Sequence, residues 1–416
     1  MNQTAPTRVH VWLGAVGARA AGLFMSAPWW AQALIIWLAS RLWGFVLFSV
    51  VDRQAPDGPW GQSPLGYSSF VSIWDGQWYE KVHDAGYPTE LPRNATGTVA
   101  ANQWAFYPLF PMVVRLITGA TGLPWEFAGP TVALVAGFAA APLILGLFRE
   151  FLGSRDALWA LAVVAFGPAS PVLQTAYAES LHLALLAAAL LLVLRGHSVA
   201  AAGTILLMCL TRPAGVPFAA ALGLTWFIRS VLRVGGGRPG GLTGWLRLLD
   251  KWFWLALWSC GCALLWPALA WWATGEVGAY TDTETAWRGT SLVPFEPWLR
   301  LGNRFFGVGL GWLAVLVLVG LFALIVTTRV VRETLPLIAW MWVVCYAVYL
   351  LAFLHPQSST FRLLIPVFVV AAPLVAVSES KAYRWGLVIV GALLQLVWVG
   401  YLWQWSPLPQ GGDWPP

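Results

Sequence analysis

Asp75 stands in the stretch "SIWDGQWYEKVHDAGYP" (72–88), with Glu80, His83 and Asp84 close behind it. A carboxylate among aromatic side chains can serve as a general base, taking the proton from an attacking hydroxyl. Gly76 lets the backbone turn sharply there. The same letters also suit a helix start, with Asp75 as the capping residue, and on the motif alone the two readings stand level. Glu80 reads as a solvated helix residue. His83 and Asp84 could meet a polar head group, although a surface role suits either one by itself. Three further motifs carry comparable groups. "TAYAESLHLALL" (175–186) holds Tyr177, Glu179, Ser180 and His182. Glu179 there either complements a helix N-terminus or joins a cluster for sugar hydroxyls. "LTRPAGV" (210–216) holds Arg212, and "HPQSSTFRLL" (355–364) holds His355 and Arg362. Each guanidinium could close a loop through an ion pair or clamp a phosphate with paired hydrogen bonds. Together, two arginines and an acid-rich segment point to an anionic ligand and a reacting hydroxyl.

Other chemistries lack their signatures. The sequence has no GxxxxGK[ST] loop, no HExxH pair and no GxSxG elbow. The four cysteines (Cys209, Cys260, Cys262, Cys345) lie in apolar runs without metal-ligand spacing, and read as small core residues. No metal and no cofactor are implied.

The elements that must position these groups are membrane helices. Of 416 residues, 59% are hydrophobic and 10% charged, against about 25% charged in a soluble domain. Apolar runs of about 20 residues recur, the length that crosses a bilayer core of about 30 Å. Many of the 29 Trp residues sit near run ends, where an indole buries its ring and keeps its N–H wet. The net charge of +6 is scattered over loops. That pattern orients helices and gives no sign of nucleic-acid binding.

The expected architecture is an all-α polytopic bundle of about eleven spans in a single domain, 1–416. The spans fall near 28–51, 129–149, 157–174, 178–195, 198–211, 213–229, 252–273, 305–328, 334–354, 361–377 and 385–404. Residues 52–104 carry six acids against three bases, which places this segment outside, as a structured unit rather than a connector. Basic clusters at Arg149/Arg155, Arg195, Arg229–Lys251, Arg329/Arg332 and Lys381/Arg384 face the cytoplasm, which places the opposite turns outside. The Arg8 and Arg19 arm joins the basic clusters, and the Gly/Pro stretch 235–241 reads as a flexible cytoplasmic loop. All four polar motifs then meet on the outer side. Residues 105–121, "AFYPLFPMVVRLITGAT", are short and broken by proline. They read as a re-entrant or steeply tilted helix, with a normal second span as the competitor.

With these motifs in hand, the chain resembles membrane glycosyltransferases of the GT-C class and, within it, the PIG-V type of mannosyltransferase and its bacterial relatives. The resemblance rests on "WDGQWYEKVHDAGYP", "WAFYPLFPMVVR", "SPVLQTAYAESLHLALL", "TRPAGV" and "HPQSSTFR", in that order over residues 70–365. It implies a polyprenyl-phosphate-mannose donor, a lipid-linked or glycolipid acceptor, and inverting transfer on the extracytoplasmic face of a plasma membrane. By the same resemblance Asp75 is the base and Arg212 and Arg362 hold the donor phosphate. Trp74, Tyr79, His83, Tyr107, Tyr177, Glu179 and His355 are expected to line the substrates, and a monomer is one expected state. A different lipid-phosphate sugar is one alternative. A transporter or flippase of lipid-linked sugars is another, although the repeat symmetry expected of a transporter is missing from the sequence.

Overall fold

The computed structural model describes residue 19 and residues 22–234, 249–288, 293–406 and 416. The arm before residue 19 and the stretch 235–241 lie outside the described residues. Within them the protein is helical, with isolated bridges in place of strands. The main helices are α1 (Trp29–Asp52), α2 (Asp75–Ala85), α3 (Leu109–Thr121), α4 (Trp125–Phe148), α5 (Ser154–Ala165), α6 (Glu179–Arg195) and α7 (Ser198–Cys209). They continue with α8 (Gly215–Val234), α9 (Lys251–Thr274), α10 (Ala279–Arg288), α11 (Glu296–Phe306), α12 (Leu310–Val326), α13 (Leu337–Phe353) and α14 (Lys381–Val397).

Among the described residues, five helical stretches are long and apolar enough to cross a membrane: Trp29–Asp52, Trp125–Phe148, Gly215–Leu232, Lys251–Thr274 and Lys381–Trp403. The other expected spans are shorter or interrupted. The 157–174 segment is helical only to Ala165 and resumes as a 3-10 turn at Ser170–Gln174. Gly167, Pro168 and Pro171 account for the break, since proline lacks the N–H that continues a helix. The 361–377 segment is likewise divided into Thr360–Leu363, a 3-10 turn at Ile365–Val370 and Ala371–Ala376, with Pro366 and Pro373 inside it. The expected loop 274–304 contains the two short helices α10 and α11. Of the cysteines, Cys260 is exposed on the outside of α9, while Cys209, Cys262 and Cys345 are buried.

Helix α4 packs along α6, α8 along α9 and α13, and α6 along α7. The interior is rich in Ala, Leu and Phe, with Ala140, Ala141, Ile144, Leu186 and Ala187 fully enclosed. Outward-facing side chains are as apolar as the core: Leu38, Leu42 and Phe45 on α1 and Leu313, Leu316 and Leu324 on α12 are exposed. Such a surface is stable in lipid and would aggregate in water. The protein is thus an integral membrane helical bundle.

Contacts between termini of different helices define its two ends. At one end Arg195 pairs with Glu150 at 2.8 Å, Arg384 with Asp156 at 2.7 Å, and Arg149 lies over the Trp29 ring. These are the groups expected on the cytoplasmic side. The opposite end carries residues 52–104. There Asp52 accepts the N–H groups of Leu65 and Gly66 at 2.9 and 3.0 Å, and Asp57 accepts that of Ser63, so two of the six acids close turns. Tyr87 stacks on Trp104 and meets Trp266 edge-on, and Trp266 Nε1 donates to Trp104 O at 3.0 Å. The segment is clamped in this way to the end of α9.

Helix α3 is the helical part of the 105–121 segment. Its 13 residues rise about 20 Å, shorter than a bilayer core of about 30 Å. Phe110, Pro111 and Val114 face α2 and α4, while Leu116 and Ile117 are exposed. This two-faced pattern suits a helix lying in the membrane interface.

One charge inside the bundle organises the chain next to the polar motifs. Arg41, in the middle of α1, is buried and donates to Ser170 O at 2.6 Å and to Ala165 O and Ser170 Oγ at 3.1 Å. Gln395 of α14 donates to Gly167 O and Ser170 Oγ at 3.0 Å. The carbonyls released where α5 breaks therefore find donors from two other helices, as a lipid-embedded backbone requires. Arg41→Leu would leave them unpaired in an apolar interior. A loss of about 2–4 kcal/mol is expected, read as a lower thermal-unfolding midpoint in detergent; an unchanged midpoint would contradict this role.

Candidate active site

The break after α5 carries the chain through residues 170–178 to the start of α6, and this detour sets the site. Tyr177, fully enclosed, lies at its end, and Glu179 opens the helix that follows. From the other side, α2 begins at Asp75. The residue before it, Trp74, has φ 61°, a left-handed conformation that costs a side-chain-bearing residue of order 1–3 kcal/mol. Two contacts fix it there: Trp74 Nε1 donates to Trp403 O at 2.6 Å, and the indole rests against Trp60. The Asp75 N–H, at the first turn of α2, donates to Tyr177 Oη at 3.0 Å. Backbone strain and a phenol therefore fix where the carboxylate starts.

The Asp75 side chain does not cap its helix. It accepts a hydrogen bond from Arg362 Nη2 at 2.5 Å. Arg362 Nη1 donates to Glu179 Oε1 at 2.9 Å, and Arg212 Nη1 meets the same oxygen at 2.5 Å. The result is a chain of alternating charge, Asp75–Arg362–Glu179–Arg212, drawn from four separated stretches. Its two carboxylates differ in exposure: the Asp75 side chain is 22% exposed and that of Glu179 4%. The Arg362 guanidinium also lies over the Tyr177 ring, 5.1 Å from its centroid. Burial, reinforced by the Asp75 carboxylate, holds the Tyr177 phenol well above its usual range, so it stays neutral.

Beneath these groups is a small cavity lined by Glu179, His182, Leu183, Arg212, Tyr346 and Arg362. Thr211 Oγ1 donates to Met208 O at 2.6 Å and faces His182 Nδ1 at 2.9 Å. Nδ1 therefore carries the imidazole proton, and Nε2 is an acceptor. Glu179 Oε2, His182 Nε2 and Arg362 Nε are buried without protein partners. A wider apolar cavity of about 330 Å³ adjoins, between the α5 break and the Phe361–Leu374 segment. Ile365 borders both spaces. Among the described residues, no group of three His, Cys, Asp or Glu is arranged to hold a metal ion.

The structure brings Asp75, Tyr177, Glu179, Arg212 and Arg362 into one site. His355, half-buried, begins the turn that leads to Arg362. The remaining candidates make other contacts, although Tyr79 borders the site, its ring centroid 6.4 Å from that of Tyr177. Tyr79 is packed between Phe106 and Phe110, with ring centroids 5.2 and 5.3 Å away. Trp74 anchors the backbone as described. His83 points toward Asp84 and Thr118, at 2.6 and 2.8 Å. Tyr107 donates to Tyr280 Oη at 3.1 Å in the cluster around Trp266. Glu80 is half-buried near Asp84 and Glu126; burial first, then these carboxylates, raises its pKa. Sequence reasoning missed Arg41, although a lone charge inside an apolar span is itself a signal. It also missed the Trp403 carbonyl that holds Trp74, for which the local sequence has no sign.

Tyr177→Phe tests the backbone anchor at Asp75. Loss of one hydrogen bond at a positioning group is expected to cut activity about tenfold with little change in the unfolding midpoint. Unchanged turnover would show that the phenol does not position Asp75.

No family model matches the sequence, and no curated protein matches it. Among solved structures the chain is similar to ArnT from Cupriavidus metallidurans bound to undecaprenyl phosphate. Identity there is 15%, covering 89% of this chain and 62% of that one, with a TM-score of 0.49. A second similar structure is the Archaeoglobus fulgidus oligosaccharyltransferase in complex with zinc and sulfate. Here identity is 14%, covering 87% of this chain and 49% of that one, with a TM-score of 0.36. This chain thus spans less than two thirds of the length of either. With identities this low, the chemistry has to come from the site's own residues.

Proposed function

We propose that the protein is a GT-C-type membrane glycosyltransferase that transfers mannose from a polyprenyl-phosphate donor to a lipid-linked or glycolipid acceptor. The observation that carries this reading is the Asp75–Arg362–Glu179–Arg212 chain beside an apolar cavity. A half-open carboxylate suits an acceptor hydroxyl, and two arginines suit a phosphate. The apolar space next to Arg362 suits the first isoprene units of the same donor. The choice of mannose rests on the five motifs and their order.

In this reading the acceptor O–H gives its proton to an Asp75 oxygen as its oxygen attacks the sugar anomeric carbon. The bond from that carbon to the phosphate oxygen breaks on the opposite side, and the configuration inverts. The polyprenyl phosphate leaves with the bonding electrons, its growing negative charge met by Arg362 and Arg212. Phosphate is a good leaving group, so a second carboxylic acid is not required. Glu179 holds both guanidiniums in place. The site faces the extracytoplasmic side, because the basic groups gather at the other end of the bundle.

The test is purified protein in nanodiscs with polyprenyl-phosphate-mannose and a panel of glycolipid acceptors, products being read by mass spectrometry. Mannosylated acceptor and free polyprenyl phosphate are the expected products. Product formed only from a different lipid-phosphate sugar would correct the sugar. Failure of every such donor, together with movement of lipid-linked sugar across proteoliposomes, would replace the enzyme with a transporter.

A further inference from the structure

We propose that the Arg362–Asp75 ion pair is a masked resting state, opened when the phosphate of a lipid-phosphate donor takes over Arg362. The inference rests on the donor assignment above and concerns the order of events at the same site. Asp75 Oδ2 is occupied by Arg362 Nη2 at 2.5 Å. A carboxylate oxygen held this closely by a guanidinium is not open to an acceptor hydroxyl. The contact also cannot survive an in-line displacement. The base and the leaving phosphate must stand on opposite sides of the sugar carbon, whereas here the base touches the group that holds the phosphate.

Anchoring along the chain decides which carboxylate yields. Asp75 and Glu179 carry two negative charges and Arg212 and Arg362 two positive, so the four groups balance. An arriving phosphate adds negative charge and competes for guanidinium N–H groups. Glu179 is 4% exposed and joins both arginines, at 2.5 and 2.9 Å. Displacing it would strand a buried carboxylate, which is strongly unfavourable. Asp75, at 22% exposure, has water within reach and can turn outward. Its backbone stays where Trp74 and Tyr177 hold it, so the movement is a side-chain rotation. Arg362 has donor capacity to spare: its Nε–H is buried and unpartnered, and the residue lines the small cavity. The released carboxylate then faces the side from which a hydroxyl can approach.

The mechanism makes a prediction that runs against ordinary expectation for a site mutant. Asp75→Asn should bind a sugar-free polyprenyl phosphate more tightly than the wild type, by about tenfold, because the competitor for Arg362 has lost its charge. Binding is measured in nanodiscs by native mass spectrometry on the full chain. The gain should vanish when Asp75→Asn is combined with Arg362→Gln. Arg362→Met, which likewise removes the charge, is used for the same comparison if the glutamine variant is not monodisperse. Equal or weaker binding by Asp75→Asn, with normal binding by the wild type, overturns the masking and leaves the donor assignment standing. A gain that persists without Arg362 overturns it too, since the effect would then be simple charge repulsion. Failure of the wild type and of Asp75→Asn to bind any polyprenyl phosphate overturns the donor assignment, and the masking with it.

Discussion

Asp75→Asn is expected to abolish sugar transfer while leaving the protein folded. The change keeps the size of the side chain and one hydrogen-bond acceptor toward Arg362, but removes the ability to take a proton. General-base catalysis contributes about 10²–10⁴-fold, so kcat should fall by about 10³-fold. The backbone anchors at Trp74 and Tyr177 do not involve the carboxylate, and Arg362 keeps its ion pair with Glu179. The unfolding midpoint should therefore stay close to that of the wild type. Rates are measured by single-turnover transfer from radiolabelled polyprenyl-phosphate-mannose, so that chemistry is separated from product release. Transfer at more than a tenth of the wild-type rate would remove Asp75 from the role of base. A matching loss of folded protein would assign it to structure.

Glu179 should show the opposite balance. It is enclosed, and one of its oxygens joins two guanidiniums. Glu179→Ala leaves Arg212 without that partner and Arg362 dependent on Asp75 alone. Breaking a buried pair from one side costs about 3–5 kcal/mol, enough to lower the unfolding midpoint clearly in detergent. Donor binding should fail as well, because neither arginine keeps its orientation. Glu179→Gln keeps the shape and one acceptor, and should recover much of the stability while donor binding stays impaired. Thermal unfolding and polyprenyl-phosphate binding of the two variants separate the roles. An alanine variant as stable as the wild type would show that the arginines find other partners.

The polar motifs were legible because each interrupts an apolar chain. Asp75, Glu179, Arg212 and Arg362 stand out at the ends of runs where a charge is costly, and charge alternation alone placed them at one end of the bundle. Their pairing was not legible. Asp75 and Arg362 are 287 residues apart, and no local pattern records that they touch. The helix-cap and base readings of Asp75 could not be parted from "WDGQWY", since both want a carboxylate before a helix. The ion pair to Arg362 shows that its side chain does not serve as the cap. The expected span 157–174 overlooked two prolines and a glycine, because hydropathy averages over the breaks that proline makes. Tyr79 and Tyr107 look as ready for a substrate as Tyr177 does. Only packing distinguishes them, by surrounding Tyr79 with Phe106 and Phe110 and pairing Tyr107 with Tyr280.

The sequence by itself determined the solvent. A chain with 59% hydrophobic and 10% charged residues must hide its backbone in helices within lipid, and its basic loops choose an orientation. These are properties of composition and period, summed over many residues, so single errors do not disturb them. What only the tertiary structure decided is where the broken helices send their ends. The carbonyls freed at 165–170 are met by Arg41 and Gln395 from helices far away in the chain. That repair permits the detour that delivers Tyr177 and Glu179 to Asp75. Hydrogen bonds of this kind depend on ångström placement between distant segments, which no window of sequence contains.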